Sequence, residues 1–320
     1  MTLPTLICPV HFSSLEGEEL AACPAGCRYP IRNGIPRFVA SDGYAKPFGL
    51  QWQRYRRTQL DSYTGVPTSS TRLKRCLGDE LWERVKGLAV LEVGCGAGRF
   101  TEVLLARGAS VASVDLSEAV DANRLNCPQS AHHSIAQADV YALPFASSQF
   151  DVVLCLGVIQ HTPDPERTIA SLWRHVRPGG WLVMDHYTYR LPQSTRTAPL
   201  FRVVLKRLNA DTALRVTECM VSLLFPLHKA VGRSYWRQAL LTRLSPLMVY
   251  FHTIPELSDK LQYEWALLDT HDWLTDWYKH LRTRGQIRRT LQALDAENIW
   301  CERGGNGVEA RARRRTLAGA

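Results

Sequence analysis

Along the middle of the chain, short apolar runs alternate with helix-length stretches whose apolar positions recur every three or four residues. The first run ends at Val93, others cover 109–114 and 152–156, IAQA at 135–138 stands between these two, and WLVM at 181–184 comes last. Runs this short and this uniformly apolar mark strands buried on both faces. Before the last run, Ile169, Leu172, Trp173 and Val176 share one face of a predicted helix over 168–176, and RPGG turns the chain into a fifth strand. The pattern predicts a βα-alternating domain with a mainly parallel sheet.

The first run leads into LEVGCGAGRF, residues 91–100, with glycines at 94, 96 and 98 where strand gives way to helix. In a nicotinamide fingerprint the third glycine follows the second by three residues, and a pyrophosphate sits on the helix N-terminus. Here the second interval is two residues and position 99 is Arg. Glu92 would repel phosphate oxygens but suits a ligand bearing an ammonium and a sulfonium, which bare glycines let the backbone approach closely. S-adenosylmethionine carries those charges. The next strand ends in Asp115, 21 residues after Gly94, where a carboxylate can accept hydrogen bonds from both ribose hydroxyls.

The ordered series EVGCGAG, VDLS, ADVYALPF, FDVVLCLGVIQHTPDP and RPGGWLVM, over 88–189 with an echo near the C-terminus, resembles the class I S-adenosylmethionine-dependent methyltransferases of methyltransferase type 11. The resemblance implies an α/β fold with a Rossmann-like seven-stranded sheet. It places Glu92, Gly94, Gly96 and Gly98 around the methionine moiety, Asp115 on the ribose, Asp139 with Val140 beside the adenine, and Leu156 under the cofactor. Methyl transfer is an in-line displacement that needs alignment first and a base only for some acceptors. His161, after the fourth strand, is the candidate catalytic base, set against a merely positioning or capping role. His186, Tyr187, Asp269, His271 and Asp272 are further candidates.

The first forty residues follow another rule. CPVH, with Cys8 and His11, and CPAGC, with Cys23 and Cys27, form two close pairs of metal-ligand type ahead of YPIRNGIPRF. Two such pairs can close a tetrahedron around zinc, which would supply stability that so small a core lacks. Asn33-Gly34 between apolar arms predicts a tight hairpin. The segment resembles the small zinc-ribbon-like Trm112-like modules, although that pattern more often has Cys where His11 stands and two residues, not three, within the second pair.

The expected organisation is a ribbon-like module over 1–42, a connector on the acceptor side over 43–87, the cofactor-binding core over 88–190, a helical insertion over 191–268, and a completion of the sheet with a basic tail over 269–320. In the connector, Trp52, Tyr55 and Gln59 are candidates for an acceptor pocket. In the insertion, Leu200, Phe201, Val204, Leu205 and Leu208 share a helical face, and apolar residues interleave with Arg and Lys. That composition suits a lid, the favoured reading, or a surface touching an anionic bilayer.

Charge sharpens the picture. The 320 residues carry a net charge of +9, yet 88–190 holds seven Arg against ten acidic residues, so the flanks are the basic part. Arg54, Arg56 and Arg57, 282–289 and the terminal ARARRR run could meet RNA, anionic lipid or an acidic acceptor. RNA is disfavoured because no single element carries a dense basic stripe with interleaved aromatics. No secretory leader or membrane span is legible, which predicts a cytoplasmic protein whose nine cysteines are thiols or metal ligands. Cys76, Cys95, Cys127, Cys155, Cys219 and Cys301 are expected in the core. The resulting expectation is a methyltransferase acting on a small molecule, sugar or lipid-linked glycan, with RNA methylation and a non-catalytic cofactor-binding or interaction module as alternatives.

Overall fold

The computed structural model describes residues 3–41, 43–189 and 197–316; the start of the expected insertion, 191–196, lies outside them, as do residue 190 and the last four residues. The chain divides into two compact units, one of Met1–Asp42, Ser69–Tyr189 and Tyr278–Ala320, the other of Gly43–Thr68 and Arg190–Trp277.

The first unit begins with a small antiparallel sheet of β1 (Leu20–Ala22), β2 (Arg28–Arg32) and β3 (Ile35–Pro36). Asn33 and Gly34 turn β2 into β3 with φ of 53° and 69°, the left-handed pair that a two-residue hairpin of the primed type requires. The large sheet has seven strands. Five are parallel: β4 (Ala89–Val93), β5 (Ser110–Asp115), β6 (His133–Gln137), β7 (Phe150–Cys155) and β8 (Val176–His186). Of the last two, β10 (Gly307–Arg314) runs antiparallel to its neighbours β8 and β9, so that β9 (Ala296–Gly304) at the edge points the same way as the other five, in the order β6-β5-β4-β7-β8-β10-β9.

Both faces of this sheet are covered, which is why its strands read as continuous apolar runs. Leu91, Val114 and Val153 pack with Ile169 and Leu172 of α6 (Pro165–His175) and Ile287 and Leu291 of α11 (Arg284–Ala293). Val90, Val111 and Leu154 pack on the other side with Leu73 and Leu77 of α3 (Thr68–Arg84) and Leu104 of α4 (Thr101–Ala106). The N-terminal module covers the β6 edge, a place where unpaired backbone would otherwise be exposed. Phe38 N–H donates to the Gln137 carbonyl at 2.8 Å, and buried Arg37 bonds Asp121 of α5 (Ala119–Asn126) at 2.7 Å.

The C-terminal basic run is a strand, not a tail. Arg311 lies over the Trp300 ring at 4.3 Å, Arg313 donates to the Gly179 carbonyl at 3.1 Å, and Arg314 donates to the Val176 carbonyl at 2.6 Å. Arg282 likewise bonds Glu166 through two nitrogens at 2.7 and 2.9 Å. These members of the basic clusters are therefore engaged by partners within the chain.

The second unit is helical: α1 (Lys46–Arg54), α2 (Asp61–Thr64), α7 (Ala198–Leu205), α8 (Ala210–Val231), α9 (Tyr235–Leu244) and α10 (Asp259–Thr275). The expected connector over 43–87 is thus split, since α1 and α2 join this unit while the body of α3 joins the sheet. The insertion runs on to Trp277 because LLDTHDWLT, expected to begin the return to the sheet, continues α10. Its core includes Val221 and Phe225 with Leu247, Ala266 and Leu267, and a second cluster of Ala198, Leu205 and Leu274. Of the expected apolar face on α7, only Leu205 is buried. The seven-residue spacing to Ala198 turns a different stripe inward and leaves Leu200, Phe201, Val204 and Leu208 exposed. Cys219 is also exposed, against expectation, while the other five scattered cysteines are buried.

Candidate functional site

The glycine turn sits between β4 and α4, beside the end of β5. Gly94 has φ of 78°, and a Cβ there would stand 2.1 Å from Val158 Cγ2, so backbone conformation and space both require glycine. Gly94 and Cys95 N–H donate to the Val114 carbonyl at 2.7 and 3.1 Å. Gly96 N–H donates to Asp115 Oδ2 at 2.9 Å, and Asp115 Oδ1 accepts from Ser117 N–H at 2.8 Å and its hydroxyl at 2.7 Å. Burial raises the Asp115 carboxyl above its ordinary value, opposed by these hydrogen bonds. Turn and carboxylate are thereby held as one piece, and Gly98 follows in the same turn, donating to the Cys95 carbonyl at 2.9 Å.

Glu92 is enclosed, at 2% exposure. Its Oε2 accepts from Thr101 Oγ1 at 2.5 Å and Ser113 Oγ at 3.4 Å, while Oε1 is left without a hydrogen-bond partner. Burial pushes this carboxyl up to about 8. Asp139 Oδ1 accepts from Tyr141 N–H at 2.9 Å, the Val140 carbonyl accepts from Ser171 at 2.6 Å, and Leu156 is buried in one core cluster with Phe100.

His161 closes a single 3-10 turn, Ile159–His161, ahead of α6. Its Nδ1 donates to the Tyr278 carbonyl at 3.1 Å and its ring stands edge-on to Tyr187 at 5.2 Å. That bond places the proton on Nδ1 and makes Nε2 the basic nitrogen. His186 at the end of β8 is buried with Nε2 unpartnered, and desolvation depresses its pKa to about 4. Asp269, His271 and Asp272 belong to α10 in the helical unit. There Asp269 accepts from Gln59 at 3.0 Å and from Tyr250, and buried His271, also depressed to about 4 by desolvation, meets Thr217 at 3.4 Å.

Sequence reasoning missed a buried ion pair. Asp185 is fully buried, accepts from Gly157 N–H at 2.6 Å, and pairs with Arg72 of α3. The Arg72 guanidinium also lies over the Phe100 ring at 5.5 Å, so a cation is held between the end of the glycine motif and the loop after β7. The partners are 113 positions apart, beyond any local spacing; the one available signal was a carboxylate closing the apolar run WLVM.

The four N-terminal ligand candidates converge. The Sγ or Nδ1 atoms of Cys8, His11, Cys23 and Cys27 all lie within 4.8 Å of one another, with His11 Nδ1 at 3.7, 3.4 and 3.5 Å from the three sulfurs in turn. Tetrahedral zinc at ordinary bond lengths requires sulfur-nitrogen separations of about 3.5 Å. The donor set therefore fits zinc, and Tyr29 Oη, 3.3 Å from Cys8 Sγ, is an outer partner of the kind that orients ligands. Within the helical unit, Tyr55, Arg57, Tyr63, Arg215 and Tyr263 help line a cavity of about 790 Å³.

Residues 91–184 match the profile of a family described as a methyltransferase domain. Curated relatives include the ubiquinone biosynthesis O-methyltransferases of Leptothrix cholodnii, 34% identical over 40% of this chain and 57% of the relative, and of Thiobacillus denitrificans, 39% identical over 30% and 43%. The chain spans about half the length of the curated relatives it matches. Among solved structures, the magnesium protoporphyrin IX methyltransferase of Synechocystis PCC 6803 is 14% identical over 85% of this chain and 97% of that one, at a TM-score of 0.45. The matched segment is a methyltransferase domain of the class I, S-adenosylmethionine-dependent type, and the seven strands observed meet the expectation of a Rossmann-like seven-stranded sheet.

Proposed function

We propose that the chain transfers a methyl group from S-adenosylmethionine to a small-molecule acceptor. The observation that carries this reading is the glycine turn locked to Asp115 through the Gly96 N–H. When bound, the cofactor supplies a methyl group activated by a positive sulfur. Asp115 would hold the ribose hydroxyls, Gly94, Gly96 and Gly98 would admit the methionine moiety, with Glu92 close behind, and Asp139 with Val140 would flank the adenine above Leu156. Arg72 is the cation available to the methionine carboxylate.

The O-methyltransferases among the relatives support a hydroxyl acceptor, within which sugar and lipid-linked glycan hydroxyls are also proposed. Such a group must lose its proton, and His161, oriented by the Tyr278 carbonyl, is the proposed base. The cavity of the helical unit, with its tyrosine and arginine lining, is of the size that suits a small molecule. The N-terminal module would hold one structural zinc through Cys8, His11, Cys23 and Cys27.

Calorimetry tests the cofactor side: Asp115→Ala should weaken S-adenosylmethionine binding by about 1–3 kcal/mol through lost charge-assisted hydrogen bonds, and NAD should not bind. Unchanged affinity in Asp115→Ala would remove the assignment. An acceptor screen with labelled cofactor and mass detection identifies the product. With that acceptor, His161→Ala should lower kcat at unchanged cofactor affinity, and unchanged kinetics would leave His161 a positioning residue.

A further inference from the structure

The helical unit has its apolar surface on the wrong side for a self-contained bundle. Eighteen large apolar side chains are exposed among the described residues, and twelve of them fall between Leu200 and Leu244. They form stripes. On α8 the inward stripe is Ala213, Thr217, Val221 and Phe225, already buried, whereas Val216, Leu223 and Leu227 recur on a separate face, about a third of a turn away, in the open. Helix α9 exposes Trp236, Leu240 and Leu244, four residues apart, at 80, 63 and 66%, and α7 exposes Leu200 and Val204 in the same manner. Three consecutive helices thus each present an outward apolar stripe, where a monomeric soluble domain rarely exposes more than a few hundred square ångströms in one patch.

The charge accompanying the stripes selects the occupant. From Ala198 to Leu244 there are eight Lys or Arg against only Asp211 and Glu218. A second protein of ordinary composition has no need of that excess, and a second copy of this chain would bring the same positive charge against it. An anionic lipid surface answers both features, since acyl chains accept the apolar stripes and headgroups meet the flanking Arg207, Arg233, Arg237 and Arg243. No helix among the described residues is long and apolar enough to cross a membrane, so the contact lies in the interfacial plane. Trp236, the most exposed large apolar side chain in the described residues, is of the type that sits at the headgroup boundary.

We propose that the outward faces of α7, α8 and α9 dock this protein on anionic membranes, with Trp236 and Leu240 entering the interface. The inference is independent of the methyl-transfer reading, because none of these residues belongs to the cofactor site. Co-sedimentation of the full chain with vesicles containing about one third phosphatidylglycerol in phosphatidylcholine should show binding that falls at least roughly tenfold on pure phosphatidylcholine or in about 0.5 M salt. Trp236→Glu with Leu240→Glu should reduce binding by a similar factor while circular dichroism and unfolding temperature stay unchanged. Acyl-chain-brominated lipid should quench wild-type fluorescence, and Trp236→Phe, which keeps the apolar face, should bind normally with less quenching. Wild-type protein that ignores anionic vesicles would overturn the proposal. So would a solution dimer that the Trp236→Glu, Leu240→Glu protein converts to a monomer without any vesicle binding in the wild type, which would make the face a contact between copies.

Discussion

Helices α6 and α8 show how the two units differ. On α6, Ile169, Leu172 and Trp173 are buried against the sheet, and the outward positions include Glu166, Arg167 and Arg174. On α8, an equally regular buried stripe is matched by a second apolar stripe in the open. Both sequences announce a helix with the same periodicity, but that of α6 needs one partner and that of α8 needs two. The first unit adds polar locks reaching far along the chain: Arg72 to Asp185, Arg75 to Glu309, Arg37 to Asp121. The second unit leaves its surplus apolar area for something outside the chain. A periodic pattern therefore reports that a helix forms and how many apolar faces it has, while the number of faces covered is a property of the assembled molecule.

The largest effect that would sharpen this contrast is at the metal cluster. Cys23→Ser should take the zinc content from close to one per chain to none, and the 3–41 segment should become protease-sensitive, because structural zinc contributes on the order of 10 kcal/mol in small modules. Elemental analysis and limited proteolysis measure both. Wild-type protein reconstituted under reducing conditions without bound metal would show that the module holds its place through the β6 contacts alone.

Next in size is the buried ion pair. Arg72→Met leaves Asp185 charged and uncompensated inside the protein, at a cost of about 3–5 kcal/mol, whereas Trp236→Ala on the open face of the helical unit should stay within about 0.5 kcal/mol. Denaturant unfolding of the two variants compares the units directly. Equal losses would mean that the outward face of α9 is structurally engaged and the contrast false.

A third effect is a pH dependence. Glu92 titrates at about 8 in the folded chain because burial disfavours its charge, against an ordinary carboxyl near 4.3 when unfolded. Between these values the folded state holds a proton that the unfolded state does not, so this group's contribution to stability is full below the lower value and is lost as pH rises toward 8. Glu92→Gln removes that proton uptake, and its unfolding temperature relative to ligand-free wild type should rise between pH 5 and pH 8, by roughly 2–4 °C for each kcal/mol involved. A constant difference across that range would mean that Glu92 is ionised in the fold despite its enclosure.

Much of the site was legible because its signals are local. The glycines at 94, 96 and 98, the carboxylate closing β5 and the Asn33-Gly34 hairpin each depend on backbone conformations encoded within a few residues. The βα alternation with a mainly parallel sheet followed from the buried apolar runs, whereas the order of the strands is a property of the assembled sheet. The enclosure of Glu92 was not legible, because it depends on Thr101 and Ser113 from two other elements. Nor was the role of the C-terminal arginines, since ARARRR reads as a solvated tail until Trp300, Gly179 and Val176 are brought beside it.

What the sequence by itself determined is the class of domain, the glycine turn beside a strand that ends in Asp115, and the two pairs of metal-ligand type, because short-range spacing dictates strand, turn and ligand geometry. What only the tertiary structure decided is which groups become partners across long stretches of chain and which apolar faces stay open. It joined α1 and α2 to the helical insertion, set Arg72 against Asp185, and turned Leu205 inward while leaving Leu200 and Val204 outside. The physical reason is that burial is a collective outcome: a leucine's free energy depends on whether another element arrives to cover it, and no local pattern records that arrival.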